Sequence, residues 1–480
     1  MTNELTLPRV TLAGLTADSR KVQPGYLFAA IPGTAMDGRQ FIGDAISRGA
    51  TAVLAPPDIS SDDVGPDVTL VTDANPRRRL ARMAAEFYAP QPEHTIAVTG
   101  TNGKTSVASF TRQLWEKLGN KAAYIGTLGI RADGFDHDGG LTTPDPVDLH
   151  ELLHRMKTAG IDHVAMEASS HGLDMHRLDG LTVQAAAFTN LTRDHLDYHG
   201  SMEAYRAAKL RLFEELLVRG GTAVVNTGAQ EYDRIANIAS ERRQKILSYG
   251  LNNGQLRTIK RQVNTGGFDL EIDILGTRHT IDFPLPGLFQ IENALAALGL
   301  VIASGADPND AAPLLSGLEG VPGRLQPVAN LENGASVYVD YAHTPDALST
   351  VLTALRPHAS GNLHVVFGCG GDRDKGKRQM MGGIAKDLAD TAIVTDDNPR
   401  SENPAAIRRE ILEACPGAAD IGDRKEAIYR AMKALKPGDV LCVAGKGHEQ
   451  GQTIGDKVIP FDDATCVKQC ADQLTGSRTT

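Results

Sequence analysis

A nine-residue stretch, VTGTNGKTS at positions 98–106, constrains the fold of this chain more than any other feature. The apolar run at residues 94–98 predicts a short buried strand, and residues 107–118 space their apolar side chains for one face of a helix. A glycine-rich turn between a strand and a helix points backbone N–H groups at an anion, and Lys104 adds a positive charge there. Thr105 would offer its hydroxyl to a magnesium ion on the phosphates. The stretch therefore predicts a site for a nucleotide triphosphate.

The match to the strict phosphate-loop pattern is incomplete, because Val98 stands where that pattern has a glycine. The alternative is an ordinary strand-to-helix turn that carries a surface lysine. We favour the phosphate loop, since the strand before it and the helix after it both agree with that interpretation.

Composition limits the class of protein. A chain of 480 residues is long enough for about three domains. The net charge of −10 argues against a general nucleic-acid or membrane-surface binder, and the sequence shows neither a signal peptide nor a membrane-spanning run. The five cysteines are scattered, with neither disulfide-framework nor zinc-ligand spacing, so we expect a reducing cytoplasm.

Two breaks divide the chain into three segments. Pro90-Gln91-Pro92 is typical of an extended linker, and residues 320–323 form a second glycine- and proline-rich break. We therefore predict an α/β protein with domains at residues 1–92, 93–321 and 322–480. The first is a small mixed α/β domain. Alternating buried strands and crossover-length segments predict a central parallel-sheet domain of the P-loop ATPase type and a C-terminal Rossmann-like doubly wound domain.

Polar side chains follow the central strands. Glu167 and His195 each come after a buried strand and would face the space over the phosphate loop, where they could hold a divalent metal. The alternative for each is a strand-end cap or a surface ion pair. Lys209 lies on an amphipathic helix, and its spacing alone favours a solvated lysine.

The third segment has four polar loops, each after a predicted strand. Asp340 ends one strand and is placed to accept hydrogen bonds from ribose hydroxyls. The other loops lie at residues 368–378, 396–400 and 444–449. Four such loops at the strand ends of one sheet predict a site for a polar, multiply charged small molecule.

Several ordered motifs resemble the Mur ligase family over essentially the whole chain. They are TGTNGKT at 99–105, EASSH at 167–171, NLTRDHLD at 190–197 and DYAH at 340–343. Within the family, DNPR at 397–400 and GKGHE at 445–449 resemble the ligase that adds meso-diaminopimelate to UDP-MurNAc-L-Ala-D-Glu. The resemblance implies an ATP-dependent acid–amino-acid ligase of peptidoglycan precursor synthesis, with Mg2+ as its metal and a UDP-substrate-binding first domain.

The resemblance also assigns roles to residues of this sequence. ATP contacts fall on Gly100, Thr101, Asn102, Gly103, Lys104, Thr105, Ser106, Asn293, Arg324 and Asp340. UDP-substrate contacts fall on Ser19, Thr34, Ala35, Met36, Thr142, Thr143, Ser169, Met175 and Arg177. Diaminopimelate contacts fall on Arg373, Asp397, Asn398, Pro399, Arg400, Gly445 and Glu449. Metal contacts fall on Thr105, Glu167, His195 and a carbamylated Lys209 (N6-carboxylysine), and His343 orients the amine or the acyl group.

Two points of the resemblance bear on single residues. It reverses the interpretation of Lys209, because an ammonium would repel magnesium whereas a carbamate is an anion that can position it. Met175 stands where the family usually has a glutamine, which puts one hydrogen bond to the sugar-peptide in doubt.

Three alternatives stay open from the sequence. They are the L-lysine-adding counterpart, a folylpolyglutamate synthetase-like ligase, and a nucleotide-hydrolysing switch that does not ligate. We expect a cytoplasmic monomer that binds no nucleic acid and does not insert into membranes.

Overall fold

A computed structural model describes residues 5–7, 10–33, 36–264 and 266–476 of the chain. By compactness the chain divides into two units. The first covers Met1–Arg257, Asp273–Arg278 and Glu292–Leu314, and the second covers Thr258–Ile272, His279–Ile291 and Leu315–Thr480. The first unit contains both the small N-terminal sheet and the large parallel sheet, so the division into domains at 1–92, 93–321 and 322–480 stays a prediction. Thr34 and Ala35 lie outside the described residues.

The N-terminal part of the first unit is built on a four-stranded parallel sheet in the order β3-β4-β5-β6. Helix α3 is capped by the Asn75 side chain, begins at a proline and buries Leu80, Met83 and Phe87 along one face. The elements are β1 (Leu5–Leu7), β2 (Val10–Leu12), β3 (Gly14–Thr16), β4 (Tyr26–Ala29), α1 (Ile42–Ser47), β5 (Ala52–Ala55), α2 (Ser61–Val64), β6 (Thr69–Thr72) and α3 (Pro76–Phe87), with 3-10 turns at Ser19–Lys21 and Gly38–Phe41.

The large sheet has a parallel core in the order β13-β12-β11-β7-β10-β8, and β9 pairs antiparallel with β8. Its strands are β7 (His94–Thr99), β8 (Ala122–Gly126), β9 (Gly129–Arg131), β10 (His163–Glu167), β11 (Val183–Phe188), β12 (Leu217–Asn226) and β13 (Lys245–Gly250). Strands β14 (Leu256–Val263), β15 (Phe268–Ile274) and β16 (Thr277–Phe283) are hydrogen-bonded in that order. Several of the core strands are buried along most of their length, as expected of a parallel sheet covered on both faces.

The helices of this part are α4 (Lys104–Lys117), α5 (Pro146–Thr158), α6 (Ser170–Asp174), α7 (Leu196–His199), α8 (Met202–Arg211), α9 (Tyr232–Glu241), α10 (Leu288–Ala303) and α11 (Pro308–Ala311), with a π turn at Leu212–Leu216 and a 3-10 turn at Ala312–Gly317. Helices α4 to α9 lie between the strands of this part along the chain, and α10 and α11 follow β16.

The second unit contains a six-stranded sheet in the order β17-β18-β22-β19-β20-β21, in which only the β17–β18 pair is antiparallel. Its strands are β17 (Gln326–Asn330), β18 (Ser336–Asp340), β19 (Leu363–Phe367), β20 (Thr391–Val394), β21 (Ala419–Asp420) and β22 (Val440–Ala444), followed by the hairpin β23 (Gly451–Ile454) and β24 (Lys457–Pro460). Its helices are α12 (Pro345–Leu355), α13 (Lys377–Leu388), α14 (Pro404–Leu412), α15 (Arg424–Ala434) and α16 (Asp463–Gly476), with a 3-10 turn at Arg356–His358.

The structure confirms the strands predicted from buried apolar runs, and it adds others. The first helix after the phosphate loop begins at Lys104, three residues before the predicted start. Strands β14 to β16 were not predicted, because they carry many exposed polar residues instead of forming continuous apolar runs. Among the described residues, no helix combines the length and the apolar character needed to cross a membrane.

A buried ion pair ties α15 to α16. Arg424 donates to both carboxylate oxygens of Asp463, at 2.7 and 2.6 Å, and both side chains are fully buried. A third bond, from Arg424 Nη2 to the carbonyl of Ala444 at 3.0 Å, connects the pair to the end of β22. Removing one partner leaves the other charge buried and unpaired.

We predict that Asp463→Ala lowers the free energy of unfolding by about 3–5 kcal/mol, measured by urea denaturation. The double variant Arg424→Met/Asp463→Leu should lose less, because no buried charge is left over. As a control, Glu426→Ala, which breaks an exposed pair with Arg430, should cost under about 1 kcal/mol. An Asp463→Ala protein as stable as wild type would contradict the prediction.

Candidate active site

The register of the central strands brings several loops to one edge of the large sheet. Glu167 of β10 pairs with Val98 of β7, and Phe188 of β11 pairs with Thr99 of β7. The loops that follow these three strands therefore start at the same level. Ligands of open α/β sheets bind at this carboxyl edge.

The phosphate loop adopts a conformation that its glycines permit. Gly100 and Gly103 have φ values of +146° and +88°, in the region that favours glycine. A Cβ at Gly100 would collide with Thr189 Oγ1, and one at Gly103 would lie 2.6 Å from Asn293 Oδ1. The structure thus brings Asn293, predicted to serve the nucleotide, against the loop.

The segment after β11 clamps this loop from one side. Thr189 Oγ1 donates to the carbonyl of Asn102 at 2.6 Å, and the Asn102 N–H donates to Asn190 Oδ1 at 2.9 Å. The N–H of Thr101 donates to the carbonyl of Asn190 at 2.9 Å. Helix α4 begins immediately after Gly103, so the amides of its first turn, at Lys104 to Ser106, lie at the helix N-terminus, where anions bind.

Two lysines converge on the backbone of the loop. Lys104 Nζ donates to the carbonyls of Gly100 and Thr101, at 3.0 and 2.8 Å. Lys209 Nζ donates to the same Gly100 carbonyl at 2.7 Å. The sequence-based interpretation of Lys209 as a solvated lysine is wrong, because the residue is only 1% exposed.

The burial of Lys209 follows from its place on α8. It shares the buried side of this helix with Tyr205 and Ala208, and its Nζ lies 4.5 Å from the centre of the Tyr205 ring. Burial, together with the nearby charge of Lys104, holds the pKa of the Lys209 amine well below its usual value.

Glu167 is held at the end of β10 by three donors. Its Oε1 accepts from Tyr124 OH at 2.5 Å and from the Thr127 N–H at 2.9 Å, and its Oε2 accepts from Thr127 Oγ1 at 3.1 Å. Gly126 permits this approach, since a Cβ there would overlap Glu167 Oε1. The carboxylate is 1% exposed and therefore has a fixed orientation.

His195 is connected to the phosphate loop through Tyr205, and its side chain is more exposed than that of Glu167. It directly precedes the short helix α7, has a left-handed backbone (φ +51°), and its ring centre lies 6.2 Å from that of Tyr205. Tyr205 in turn lies 3.1 Å, OH to Oγ1, from Thr101 of the loop. Thr105, in the first turn of α4, is buried.

The donors predicted for a metal are of a suitable kind. Magnesium prefers hard oxygen ligands and is usually held by one or two carboxylates together with substrate phosphates. Thr105 and Glu167 supply such oxygens, and His195 supplies an imidazole. Among the described residues, no group of three or more His, Cys, Asp or Glu side chains forms a metal cage. Donors of this kind fit a metal that a phosphate substrate helps to hold.

The residues predicted to contact the muramoyl-peptide form one connected group. Thr143 Oγ1 lies 2.9 Å from Ser169 Oγ and donates to the carbonyl of Glu167 at 3.0 Å. Arg177 donates to the carbonyl of Thr143 at 2.9 Å and to Met175 Sδ at 3.2 Å. Met175, which replaces the usual glutamine, therefore packs against the Arg177 guanidinium.

The other described residues predicted to contact the UDP-substrate have different surroundings. Thr142 Oγ1 is 3.2 Å from Thr127 Oγ1, which bonds to Glu167. Ser19 is buried, and its hydroxyl hydrogen-bonds with Asp44 and lowers the pKa of that carboxyl. Met36 is 70% exposed.

In the second unit, Arg324 and Asp340 lie together. Asp340 accepts from the N–H groups of Leu325 at 2.5 Å and Ala342 at 2.7 Å, and the Arg324 guanidinium lies 4.7 Å from the centre of the Tyr341 ring. Burial raises the pKa of Asp340 to about 6, against the opposing effect of Arg324. His343 follows on the same loop, and its carbonyl accepts from Lys377 Nζ at 2.9 Å.

Two of the four polar loops are bonded to each other. The Gly371 N–H donates to the carbonyl of Asn398 at 2.9 Å, and Arg400 Nη1 donates to the carbonyl of Gly371 at 2.8 Å. A Cβ at Gly370 would lie 2.8 Å from that same Arg400 nitrogen, so the glycine leaves room for the guanidinium. Arg400 has a left-handed backbone with φ +50°, which is costly for a non-glycine residue.

The cations of the 368–378 loop have different surroundings. Arg373 is exposed, whereas Arg378 is buried and donates to Glu402 and Glu410, each at 2.9 Å. Glu402 also accepts from the N–H of Asp372 at 2.7 Å, so Arg378 stabilises the loop from inside.

The fourth loop contributes a residue that the sequence analysis did not assign. Lys446, between Gly445 and Gly447, is fully buried and bonds to both Asn398 and Glu449. Tyr124, Thr127 and Tyr205 were missed as well. Lys446 lies in a polar motif that directly follows a strand, so its position in the sequence could have indicated a site residue. No local pattern indicates that Tyr124, Thr127 or Tyr205 would lie near Glu167 or the phosphate loop.

Comparisons with known proteins agree with this arrangement. Profiles for the Mur ligase family catalytic domain, the Mur ligase middle domain and the Mur ligase glutamate ligase domain match residues 11–88, 98–301 and 323–447. The UDP-N-acetylmuramoyl-L-alanyl-D-glutamate–2,6-diaminopimelate ligase of Caulobacter vibrioides is 52% identical, over 94% of each chain. The ligase of the same name from Agrobacterium fabrum is 48% identical, over 98% of this chain and 95% of its own.

A solved structure of a ligase with that name gives the same result in three dimensions. It superposes with a TM-score of 0.75 at 34% identity, covering 98% of this chain and 97% of its own. Identity at this level over nearly the whole length, with the three profiles in chain order, shows the family: this chain belongs to the Mur ligases.

Proposed function

We propose that this chain is an ATP-dependent ligase that adds meso-diaminopimelate to UDP-MurNAc-L-Ala-D-Glu in peptidoglycan precursor synthesis. The observation that carries the proposal is its near full-length identity, about half of all positions, to ligases named for that reaction. The conformation of the phosphate loop and the bonded loops at residues 370–373 and 397–400 support it from the structure.

We assign ATP binding to the phosphate loop. The amides at the start of α4 and the Lys104 charge suit the phosphates of ATP, since positive groups at a helix N-terminus stabilise anions. Asn293 lies beside the loop, and Arg324 with Asp340 is assigned to phosphate and ribose. Asp340 accepts hydrogen bonds best when it is ionised, above its pKa of about 6.

The reaction needs an activated acyl group, because a carboxylate is a poor electrophile. ATP transfers its terminal phosphoryl group to the free D-glutamyl carboxylate and leaves as ADP, giving an acyl phosphate. The amine of diaminopimelate attacks the acyl carbon, loses a proton, and displaces phosphate to leave an amide. Lys104 neutralises negative charge on the transferring phosphoryl group, and His343 orients the amine or the acyl phosphate.

A magnesium ion would be held by Thr105, Glu167 and His195, and when bound it supplies positive charge at the phosphates. Lys209 completes this set as a carbamate. The hydrogen bond from Lys209 Nζ to the Gly100 carbonyl of the phosphate loop supports this role, because a carboxylate added to that nitrogen would lie close to the loop.

Amino-acid choice is assigned to the 397–400 loop. Diaminopimelate differs from lysine by a carboxylate on its far carbon, and a guanidinium can bind that carboxylate with two parallel hydrogen bonds. The Arg400 guanidinium has five N–H donors. Its Nη1 donates to the carbonyl of Gly371, and this bond fixes the orientation of the side chain. We assign Arg373 to the same carboxylate of diaminopimelate. The Gly445 carbonyl and the Glu449 carboxylate are assigned to the ammonium at the far end of the ligand.

The alternatives differ in what they ligate, or in whether they ligate at all. The lysine-adding counterpart and a folylpolyglutamate synthetase-like ligase are separated from this proposal by a product assay with a panel of acyl substrates and amino acids. A nucleotide-hydrolysing switch would release phosphate without acyl substrate and amine, whereas the ligase needs both. We further propose a cytoplasmic monomer, and the five free cysteines agree with a reducing compartment.

We expect Lys104→Ala to lower ligation at least about a hundredfold, because one preorganised donor to the transferring phosphoryl group is lost. The unfolding midpoint should stay near that of wild type, since the side chain contacts the loop and the ligand more than the core. Lys117→Ala, an exposed lysine on the same helix, is the matched control. Wild-type turnover and ATP affinity in the Lys104 variant would refute the nucleotide assignment.

The carbamate role of Lys209 predicts chemical rescue. Lys209→Ala should be nearly inactive and should regain part of its activity in formate or acetate, which can occupy the vacated anion position. Neither salt should restore the Lys104→Ala variant, which serves as the control, and wild-type enzyme depleted of bicarbonate should lose activity. Full activity in the Lys209 variant would contradict the role.

The assignment of Arg400 predicts discrimination against lysine. Lysine leaves the guanidinium without its carboxylate partner, a penalty of about 1–3 kcal/mol or roughly ten- to hundredfold in kcat/KM. Arg400→Ala should therefore lose diaminopimelate addition while keeping its ATP affinity, and Arg409→Ala, an exposed arginine on α14, should lose neither. Wild-type enzyme that adds L-lysine as efficiently as diaminopimelate would show that the loop has another role.

A further inference from the structure

Lys446 is an unusual lysine because its whole side chain is buried. It comes two residues after the end of β22, between Gly445 and Gly447, and is 0% exposed. An ammonium removed from water must be paired or hydrogen-bonded, or the fold is destabilised. Its partners therefore indicate what the residue does.

Those partners are two residues assigned to the amino-acid site. Lys446 Nζ donates to Asn398 Oδ1 and to Glu449 Oε2, each at 3.1 Å. Asn398 Nδ2 donates to the same Glu449 oxygen at 2.9 Å, which closes a triangle of three side chains. The triangle joins the 397–400 loop to the loop after β22.

The contacts also fix which way the Asn398 amide faces. Its Oδ1 accepts from Lys446 and from the N–H of Thr453 at 2.9 Å, so its Nδ2 is directed at Glu449. Without the ammonium, Glu449 would lose the charge that balances its carboxylate, and one of the two donors to Asn398 would be gone.

The 397–400 loop contains a residue with a strained backbone conformation. Arg400 has a left-handed backbone, and the β23 hairpin secures it through Arg400 N–H to Thr453 O at 3.0 Å and Gly455 N–H to Arg400 O at 2.7 Å. A strained residue keeps its conformation only where its surroundings impose it. Lys446 holds the same loop at a second point, through its hydrogen bond to Asn398.

We propose that Lys446 is a positioning residue for amino-acid selection. Its ammonium orients the Asn398 amide and the Glu449 carboxylate, and through them it sets the geometry in which Arg400 receives the ligand. The proposal rests on the proposed function in one respect, namely that the 397–400 loop binds the incoming amine substrate.

The test is steady-state kinetics on Lys446→Met, which keeps the apolar length of the side chain but has no donor. We expect the KM for meso-diaminopimelate to rise about tenfold or more, with the KM values for ATP and UDP-MurNAc-L-Ala-D-Glu unchanged. The preference for diaminopimelate over L-lysine should narrow by a similar factor. Lys446→Arg, which keeps the charge and the donors, should recover part of the loss.

Asp439→Asn is the matched control. Asp439 is buried at the other end of β22, where it accepts from the N–H of Asn362 at 2.7 Å and lies 3.1 Å from His364. The control should lower the thermal unfolding midpoint and leave the KM for diaminopimelate unchanged, which separates loss of stability from loss of positioning.

The outcomes decide between the two roles. A Lys446→Met enzyme with a lower unfolding midpoint and an unchanged KM for diaminopimelate would overturn the proposal and leave a structural lysine. If this variant does not fold, Lys446→Gln, which removes the positive charge that faces Glu449, is measured by the same criteria. Wild-type enzyme that does not ligate diaminopimelate would refute the proposed function instead, and Lys446 is then judged by the KM for the amine that wild-type enzyme uses.

Discussion

Backbone pairing between β7 and its two neighbours is the constraint on which the nucleotide site depends. Because Val98 pairs with Glu167 and Thr99 with Phe188, three strands end at one level, and their loops are forced together. Each strand is buried on both faces, so a shift in register would displace apolar side chains from the core. The glycines of the phosphate loop then let Thr189 and Asn293 approach its backbone.

Buried cations occur in both units, and their partners distinguish their roles. Arg378, Arg424 and Lys446 each face at least one carboxylate, which offsets the loss of hydration. Lys209 instead donates to a backbone carbonyl and lies near another lysine, an arrangement that disfavours an ammonium. The same physical rule thus stabilises the charged form of three buried side chains and disfavours the charged form of the fourth.

The sequence predicted the fold best where burial leaves a simple pattern. Continuous apolar runs located most of the central parallel strands of both large sheets, but not β8, β13 or β21. The glycine-rich stretch located the start of α4 to within three residues. The prediction failed for β14 to β16, whose many exposed polar residues do not distinguish them from loops. For Lys209 the helical spacing suggested solvent, because sequence spacing does not tell which face of a helix the rest of the chain will cover.

The sequence by itself determined the phosphate loop, the polar loops after the strands and the resemblance to the Mur ligases, because these depend on residue type and order along the chain. Only the tertiary structure decided how those residues meet. Glu167 is fixed by Tyr124 and Thr127, 43 and 40 positions away, and Lys446 bonds to Asn398, 48 positions away. Such contacts depend on strand order and on burial, and both arise only when the whole chain packs around its cores.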